Sequence, residues 1–408
     1  MALISETSDD VSNGSDPNKN PEDLHKKPQE EEEENQNEKP KEEEQVENLA
    51  PIRRRHIPLI LIERTVALIR ICHYPRLSLL SRTFLNVISS EHLFVTRSLL
   101  GLTEPVLYAL ITLPPFTAPS WFILHRSNMS LRLSRISSLP PMSPGCTAVT
   151  IGHKIYVMGG RNGLNQPVNT VIVIDCRFHK WENLQSMKRE RCFAASGVID
   201  GKIYVVGGRK KRYEDWVEVF DVENGVWETV PGLCCYLASS SGVFPIHVVL
   251  DNKIYILDGQ HCLAYDPRLR RWDNWGPESP QRHYWYTCSC VVDDLLYTIV
   301  PQWYLAGSLI VVYDPRDMVW RPVKGVDHLP SFFYVESKMS SFGGKLVLLG
   351  WHESQNSCGH DSEKIVVCVE VALGRSEDGD IWGKVESTSP VHSSFRWPSI
   401  DISRTVTV

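Results

Sequence analysis

The sequence predicts a mainly β protein in which small antiparallel sheets stack radially and close into a ring, behind a short α-helical unit. Three observations carry this. A line of apolar residues ending in glycines returns along the chain. A second line, an apolar strand followed by Asp and then by Trp, runs in phase with it. A helical spacing of apolar residues occupies only the stretch ahead of both.

The first line reads Lys154-Ile-Tyr-Val-Met-Gly-Gly160. It returns as Lys202-Ile-Tyr-Val-Val-Gly-Gly208 and Lys253-Ile-Tyr-Ile-Leu-Asp-Gly259, and more weakly as Leu295-Leu-Tyr-Thr-Ile-Val300 and Lys345-Leu-Val-Leu-Leu-Gly350. The starts lie 48, 51, 42 and 50 residues apart. In the second line Asp175 leads to Trp181, Asp221 to Trp227, Asp266 to Trp272 and Asp314 to Trp320. Four equal offsets do not arise from composition alone.

Each unit therefore reads as a sheet of about four strands. The apolar run buries a strand, and the glycines allow a sharp exit where side chains would clash. The Asp caps a turn, with Pro after it at Asp266-Pro267 and Asp314-Pro315. The Trp packs between neighbouring sheets. A unit of ~45 to 50 residues cannot bury both of its faces alone, so units stack and close into a β-propeller.

Five blades carry the repeat over residues 143–396. A degenerate first blade is expected in 101–142, where Val106 to Ile111 resembles the first line without its glycines and Trp121 to Leu124 resembles the second. Six blades are favoured, with five or seven open. The last unit has an insert after Gly350 and no matching Asp and Trp pair, although Trp382 is available. Residues 397–408 form a C-terminal tail or a closing strand.

Ahead of the ring, residues 1–50 hold 16 acidic against 5 basic side chains, so an acidic tail sets the net charge of −6 and the rest is slightly basic. The tail cannot bury enough apolar surface to offset its ordering entropy and reads as disordered. No concentrated basic face is present, which argues against nucleic acid as a partner. From 51 to 100 the spacing turns helical: Leu61, Ile62, Val66 and Ile69, then Leu77, Leu80, Phe84, Val87 and Ile88. Pro58 suits a first helical turn and Pro75 a helix start. So few residues need a neighbour or partner for stability.

Pro105 to Leu124 is an uncharged run of membrane-spanning length, but it contains Pro105, Pro114, Pro115 and Pro119. Two strands around a proline-rich turn fit better than a helix in lipid, so no membrane is expected. The first residues lack the basic start and apolar run of a signal peptide. Eleven cysteines without zinc-ligand spacing read as reduced, mostly buried thiols of a cytoplasmic or nuclear protein, with no metal or cofactor expected. Arg53-Arg-Arg-His56 is a short basic run that reads as solvated or as a nuclear import signal.

The glycine line and phased Trp line resemble the kelch repeat over roughly residues 102–396. Ile57-Pro58, then Tyr74-Pro-Arg-Leu-Ser-Leu-Leu-Ser-Arg-Thr-Phe84 and Val87-Ile-Ser-Ser90, resemble an F-box. Their order looks like that of the plant F-box/kelch-repeat proteins. The resemblance implies the substrate-receptor subunit of an SCF-type (Skp-cullin-F-box) E3 ubiquitin ligase, itself non-catalytic. It further implies docking to a Skp-type adaptor, and through it to a cullin, by Ile57, Pro58, Leu61, Ile62, Pro75, Leu77, Leu80 and Phe84. Ile57, the Leu59 and Ile60 pair, and Phe84 depart from the usual Leu, acidic pair and Trp of that motif, yet all keep apolar character.

A target protein is expected on the loops that leave the glycines, since loops on a rigid ring carry specificity. These offer Arg161 and Asn162; Arg209, Lys210 and Arg212; Gln260 and His261; Gln302, Trp303 and Tyr304; and Trp351 and His352. The alternatives are a kelch scaffold with no ubiquitin role, or a copper radical oxidase, for which the His and Tyr spacing shows no cluster. No Gly-x-Ser-x-Gly elbow or phosphate loop is present.

Overall fold

The computed structural model describes residues 57–113, 118–127, 130–209, 216–230, 238–239, 241–258, 261–274, 285–300, 308–330, 333, 336–354 and 362–408. The acidic tail and the Arg53 to His56 run lie outside the described residues.

Four short helices come first: α1 (Leu59–Ala67), α2 (Tyr74–Leu77), α3 (Arg82–Ile88) and α4 (Glu91–Leu99). Pro58 stands at the cap position of α1 and Pro75 within the first turn of α2. The Ser81 hydroxyl accepts the Phe84 amide (3.2 Å) and the Ser90 hydroxyl accepts the His92 amide (3.2 Å), so α3 and α4 begin on side-chain caps.

Six four-stranded antiparallel sheets follow. From the innermost strand outward, blade 2 runs Thr147–Ile151, Lys154–Met158, Val171–Asp175 and Lys180–Asn183. Blade 3 runs Ala195–Ile199, Lys202–Val206, Val217–Asp221 and Val226–Val230. Blade 4 begins at Ile246–Leu250, blade 5 at Ser289–Val292 and blade 6 at Lys338–Phe342. Blade 1 is built from both ends of the chain. Pro105–Thr112, Ser120–Ser127 and Ser130–Arg135 form its outer three strands, and Ser399–Thr407 returns as the innermost one. The uncharged Pro105 to Leu124 run is thus two paired strands, Leu107 opposite Leu124 and Leu110 opposite Trp121. Each innermost strand lies against the next, and Ser399–Thr407 touches both Lys338–Phe342 and Thr147–Ile151, which closes the ring.

The repeat lines do the work expected of their residue types. Gly159 and Gly160 have φ of +66° and +104°. A Cβ on the first would strike the Arg191 carbonyl, and on the second the Ser143 side chain, so the exit from this strand requires glycine twice. The Asp266 carboxylate accepts the amides of Arg268 (3.0 Å) and Leu269 (3.1 Å) across the turn, and Asp175, Asp221 and Asp314 act alike. Trp227 lies on Phe220 of its own blade, 5.0 Å between rings, and donates its indole N–H to the Gln185 carbonyl of the preceding blade (2.8 Å). Trp272 likewise meets Trp216 of the preceding blade. Trp181 departs from this pattern and stays 42% exposed.

Blade 6 differs from expectation. Its second strand, Lys345–Glu353, continues through Gly350, which pairs with Val367 in the ladder instead of ending the strand. Residues 355–361, which follow this strand, lie outside the described residues.

A buried ion pair ties blade 2 to blade 3. Arg191 bonds Glu218 through Nη2 (2.8 Å) and Nε (3.1 Å), and also donates to the carbonyls of Gly207 (2.5 Å) and Trp216 (2.9 Å). Every polar neighbour is engaged, which is the condition for tolerating such a pair in an apolar setting.

Removing residues 399–408 takes the innermost strand from blade 1 and bares both blade faces beside it. The expected outcome is loss of the single cooperative thermal transition of the intact chain. Differential scanning calorimetry of the two proteins checks it.

Candidate functional site

In each sheet the innermost strand runs away from one end of the ring. The links from second to third strand, and from one blade to the next, therefore lie together at that end, the loop end. The tight hairpins lie at the other. The helices stand on the hairpin end of blades 1 and 2.

Their main fastening is Arg97, 2% exposed. Its guanidinium donates to the carbonyls of Ala67 (2.8 Å), Ile69 (2.7 Å) and Leu102 (2.5 Å), to the Tyr74 hydroxyl (3.2 Å), and to the Glu104 carboxylate (2.6 Å) just before blade 1 begins. Glu104 also accepts the Ile71 amide (3.1 Å). A second fastening reaches blade 2. Phe94 of α4 meets Phe178 edge-on at 5.3 Å, and Arg177 spans from Asp175 (2.7 Å) to Glu91 of α4 (3.5 Å). Burial alone would push the Asp175 carboxyl up; its hydrogen bonds to Arg177 hold it below the usual range instead. The Tyr108 hydroxyl donates to the Cys176 carbonyl (3.1 Å) beneath this contact.

Of the residues expected to meet an adaptor, Ile57, Pro58, Leu61, Pro75 and Leu80 are exposed, Leu80 to 69%. Ile62, Leu77 and Phe84 are half-buried and pack inward on the cluster that contains Val66, Tyr74 and Val87. Leu59, Ile60, Leu79 and Leu85 add to the exposed set. That is a large apolar surface for one small helical unit.

At the loop end the expected target residues divide. Arg161 lies over the Phe193 ring at 5.1 Å. Asn162 is spent on its own turn, its side-chain oxygen accepting the amides of Leu164 (3.0 Å) and Gln166 (2.9 Å). Arg209 sits on the exit of its glycine pair. His261 opens the third strand of blade 4, and His352 lies in a strand of blade 6, its ring 2.9 Å from the Glu353 carbonyl. Trp351 is corrected: it is fully buried, stacked on Phe333 at 4.1 Å and bonded through its indole N–H to Glu336 (2.9 Å). It cannot touch a partner. Lys210, Arg212, Gln260, Gln302, Trp303 and Tyr304 lie outside the described residues.

The innermost strands enclose an axial cavity of about 220 Å³ near the loop end. Lys338, Asp401, Arg404 and His247 line it, with Phe193 and Phe244 among its apolar walls. None of these four polar residues was singled out by the repeat, because the innermost strand is its least regular part. One signal was present: in Ser399-Ile-Asp-Ile-Ser403, polar and apolar residues alternate as on a strand wet on one face. Among the described residues no cluster has the makeup of a metal site, and the described cysteines are free thiols, five of them buried.

Fold and ends together define a kelch-type β-propeller with a helical unit seated on its hairpin end. A family model described as "FKB95, Kelch-repeats domain" matches residues 121–392. A putative F-box/kelch-repeat protein of Arabidopsis thaliana is 59% identical over the whole of both chains, and a second is 51% identical over the whole of both. An F-box/kelch-repeat protein of the same plant is 59% identical over 86% of this chain and 85% of its own. The chain belongs to the F-box/kelch-repeat proteins.

Replacing Arg97→Ala strands the Glu104 carboxylate and three carbonyls in a largely buried setting, at a cost of roughly 3 kcal/mol. The expected result is early proteolytic cutting within residues 57–100 while the propeller fragment persists. Limited proteolysis read by mass spectrometry checks it.

Proposed function

We propose that this chain is the substrate-receptor subunit of an SCF-type ubiquitin ligase. The helical unit docks on a Skp-type adaptor that joins it to a cullin, and the loop end of the propeller holds a target protein. In this reading the chain supplies no catalytic group. It supplies position, and other subunits transfer the ubiquitin. The free thiols suit the reducing cytoplasm or nucleus as the place of work.

The observation that carries the reading is the exposed apolar surface of the helical unit. Ile57, Leu59, Ile60, Leu61 and Leu80 are each about half exposed or more. Their fastening side is already satisfied by Arg97 and Phe94, and among the described residues this surface stays exposed. Burying apolar side chains of this size contributes about 1.5 to 3 kcal/mol each. A handful supports a stable protein interface.

The family names of the relatives agree with this assignment. The placement of the helices agrees too: they occupy the hairpin end and leave the loop end open, so adaptor and target would not compete for one surface. Arg161 and Arg209 give the loop end cationic character, suited to a target with acidic or polar contacts.

The wild-type chain should co-purify with adaptor and cullin. Leu61→Glu and Leu80→Glu should abolish that capture with the melting temperature unchanged, since both side chains are exposed. Leu77 is a poorer probe because it packs inward. Absence of adaptor binding by the wild-type chain, measured with purified components, overturns the proposal and leaves a propeller scaffold.

A further inference from the structure

We propose that the axial cavity is a binding site for a small organic anion, whose carboxylate is held by Lys338 and Arg404 inside the ring. The proposal does not depend on the adaptor reading, because the cavity lies on the propeller axis and the helices stand elsewhere.

Two cations line the cavity, and the acid beside them is otherwise engaged. Among the described residues no carboxylate lies within ion-pair distance of Lys338 or Arg404. Asp401 is the one acidic side chain among the described lining residues, and hydroxyls claim both of its oxygens: Thr112 at 2.6 Å and Ser399 at 3.0 Å. Burial pushes its carboxyl above the ordinary range, against the pull of those two hydroxyls and of Lys338. Arg404 is aimed by two anchors, Nε to the Ala148 carbonyl (2.9 Å) and Nη1 to the Ser403 carbonyl (2.9 Å). That orientation leaves Nη2 for a ligand. The Lys338 backbone lies in a strand ladder opposite Leu349, and its ammonium makes no hydrogen bond to a described residue.

The electrostatics point the same way. Burial pushes the Lys338 ammonium below its ordinary range, against opposite pulls from Cys288 and Asp401 and with Arg404 adding to the depression. Burial also brings Arg404 down to about 10. His247 faces both cations and is itself pushed down to about 4 by burial and by Arg404, so it is neutral and adds no further positive charge. Cations surrounded by protein without an acid partner are costly, and an entering anion offsets that cost.

Size and walls narrow the ligand. About 220 Å³ falls below the roughly 300 to 1,000 Å³ of sites for drug-sized molecules. Leu110, Phe193, Phe244, Met339 and Ile400 provide apolar wall. A carboxylate on a short carbon skeleton matches both the cationic part and the apolar part.

The test is calorimetric titration of the full chain with butyrate, inorganic phosphate and neutral butanol. Butyrate should bind once per chain and raise the melting temperature, and butanol should do neither. Lys338→Met should weaken butyrate roughly ten- to hundredfold, the loss of one hydrogen bond to a charged group. Lys345→Met, on the surface beside Glu386, should bind as the wild type does. Should Lys338→Met fail to fold, Lys338→Arg keeps the charge and should bind within a few-fold of wild type. No butyrate binding, equal binding by Lys338→Met, loss of binding in Lys338→Arg with the fold intact, or binding of phosphate alone overturns the assignment.

Discussion

The structure depends on one strand pairing. Ser399–Thr407 returns across nearly the whole domain to lie beside Pro105–Thr112, from Pro105 opposite Thr407 to Thr112 opposite Ser399, with an irregularity between Leu110 and Ile111. Closing a loop of roughly 300 residues costs on the order of 5 kcal/mol in chain entropy. The return is large because the pairing completes two interfaces at once. On one side Leu107, Ala109 and Phe122 of blade 1 pack against Val347, Leu349 and Val366 of blade 6. On the other, Tyr108, Leu110 and Trp121 pack with Ala148, Ile155 and Val157 of blade 2. Without the returning strand both surfaces would meet water, and the chain would be an open stack with bare ends.

What could be read from the sequence follows from which positions the backbone constrains. Gly159 and Gly160 are legible because their left-handed φ admits little else, and Asp221 or Asp266 because a turn needs its amides satisfied. The innermost strands lack such constraints. They face a narrow wet channel on one side and neighbouring strands on the other, so Lys338, His247 and Arg404 can stand in a strand without announcing themselves. Gly350 shows the limit of pattern matching. It aligns with the exit glycines, but it sits in an extended ladder and not in a left-handed exit, which is why Trp351 beyond it is core and not loop. In the helices, a period of 3.6 identifies an apolar face but not what covers it. Ile62, Leu77 and Phe84 share their spacing with Leu61 and Leu80, yet the former pack inward and the latter outward.

The channel and the ring wall are linked by the same economy. Six strands converging on an axis cannot all be apolar, because the axis is too wide for their side chains to close it and too narrow to be surface. The solution here is a layer of short hydroxyls that pair across blades. Thr147 meets Ser196 at 2.5 Å and Ser340 meets Ser403 at 2.7 Å. Lys338 and Arg404 interrupt that layer of hydroxyls, Arg404 while still tying the closing strand to the Ala148 carbonyl of blade 2.

The two fastenings of the helical unit decide whether it holds one orientation. Arg97 with Glu104 ties it to the start of blade 1, and Phe94 with Phe178 and Arg177 with Glu91 tie it to the next blade. A single tie would let the unit swivel about the chain entering Pro105. Two ties on separate blades remove that freedom, and neither draws on the exposed leucines of α1 or on Leu80. A partner gripping those residues would therefore be carried at a fixed angle to the ring axis, and so to anything seated on the far loops. The strands that run between the two ends set that separation, and in blades 2 to 5 each is only four to six residues long.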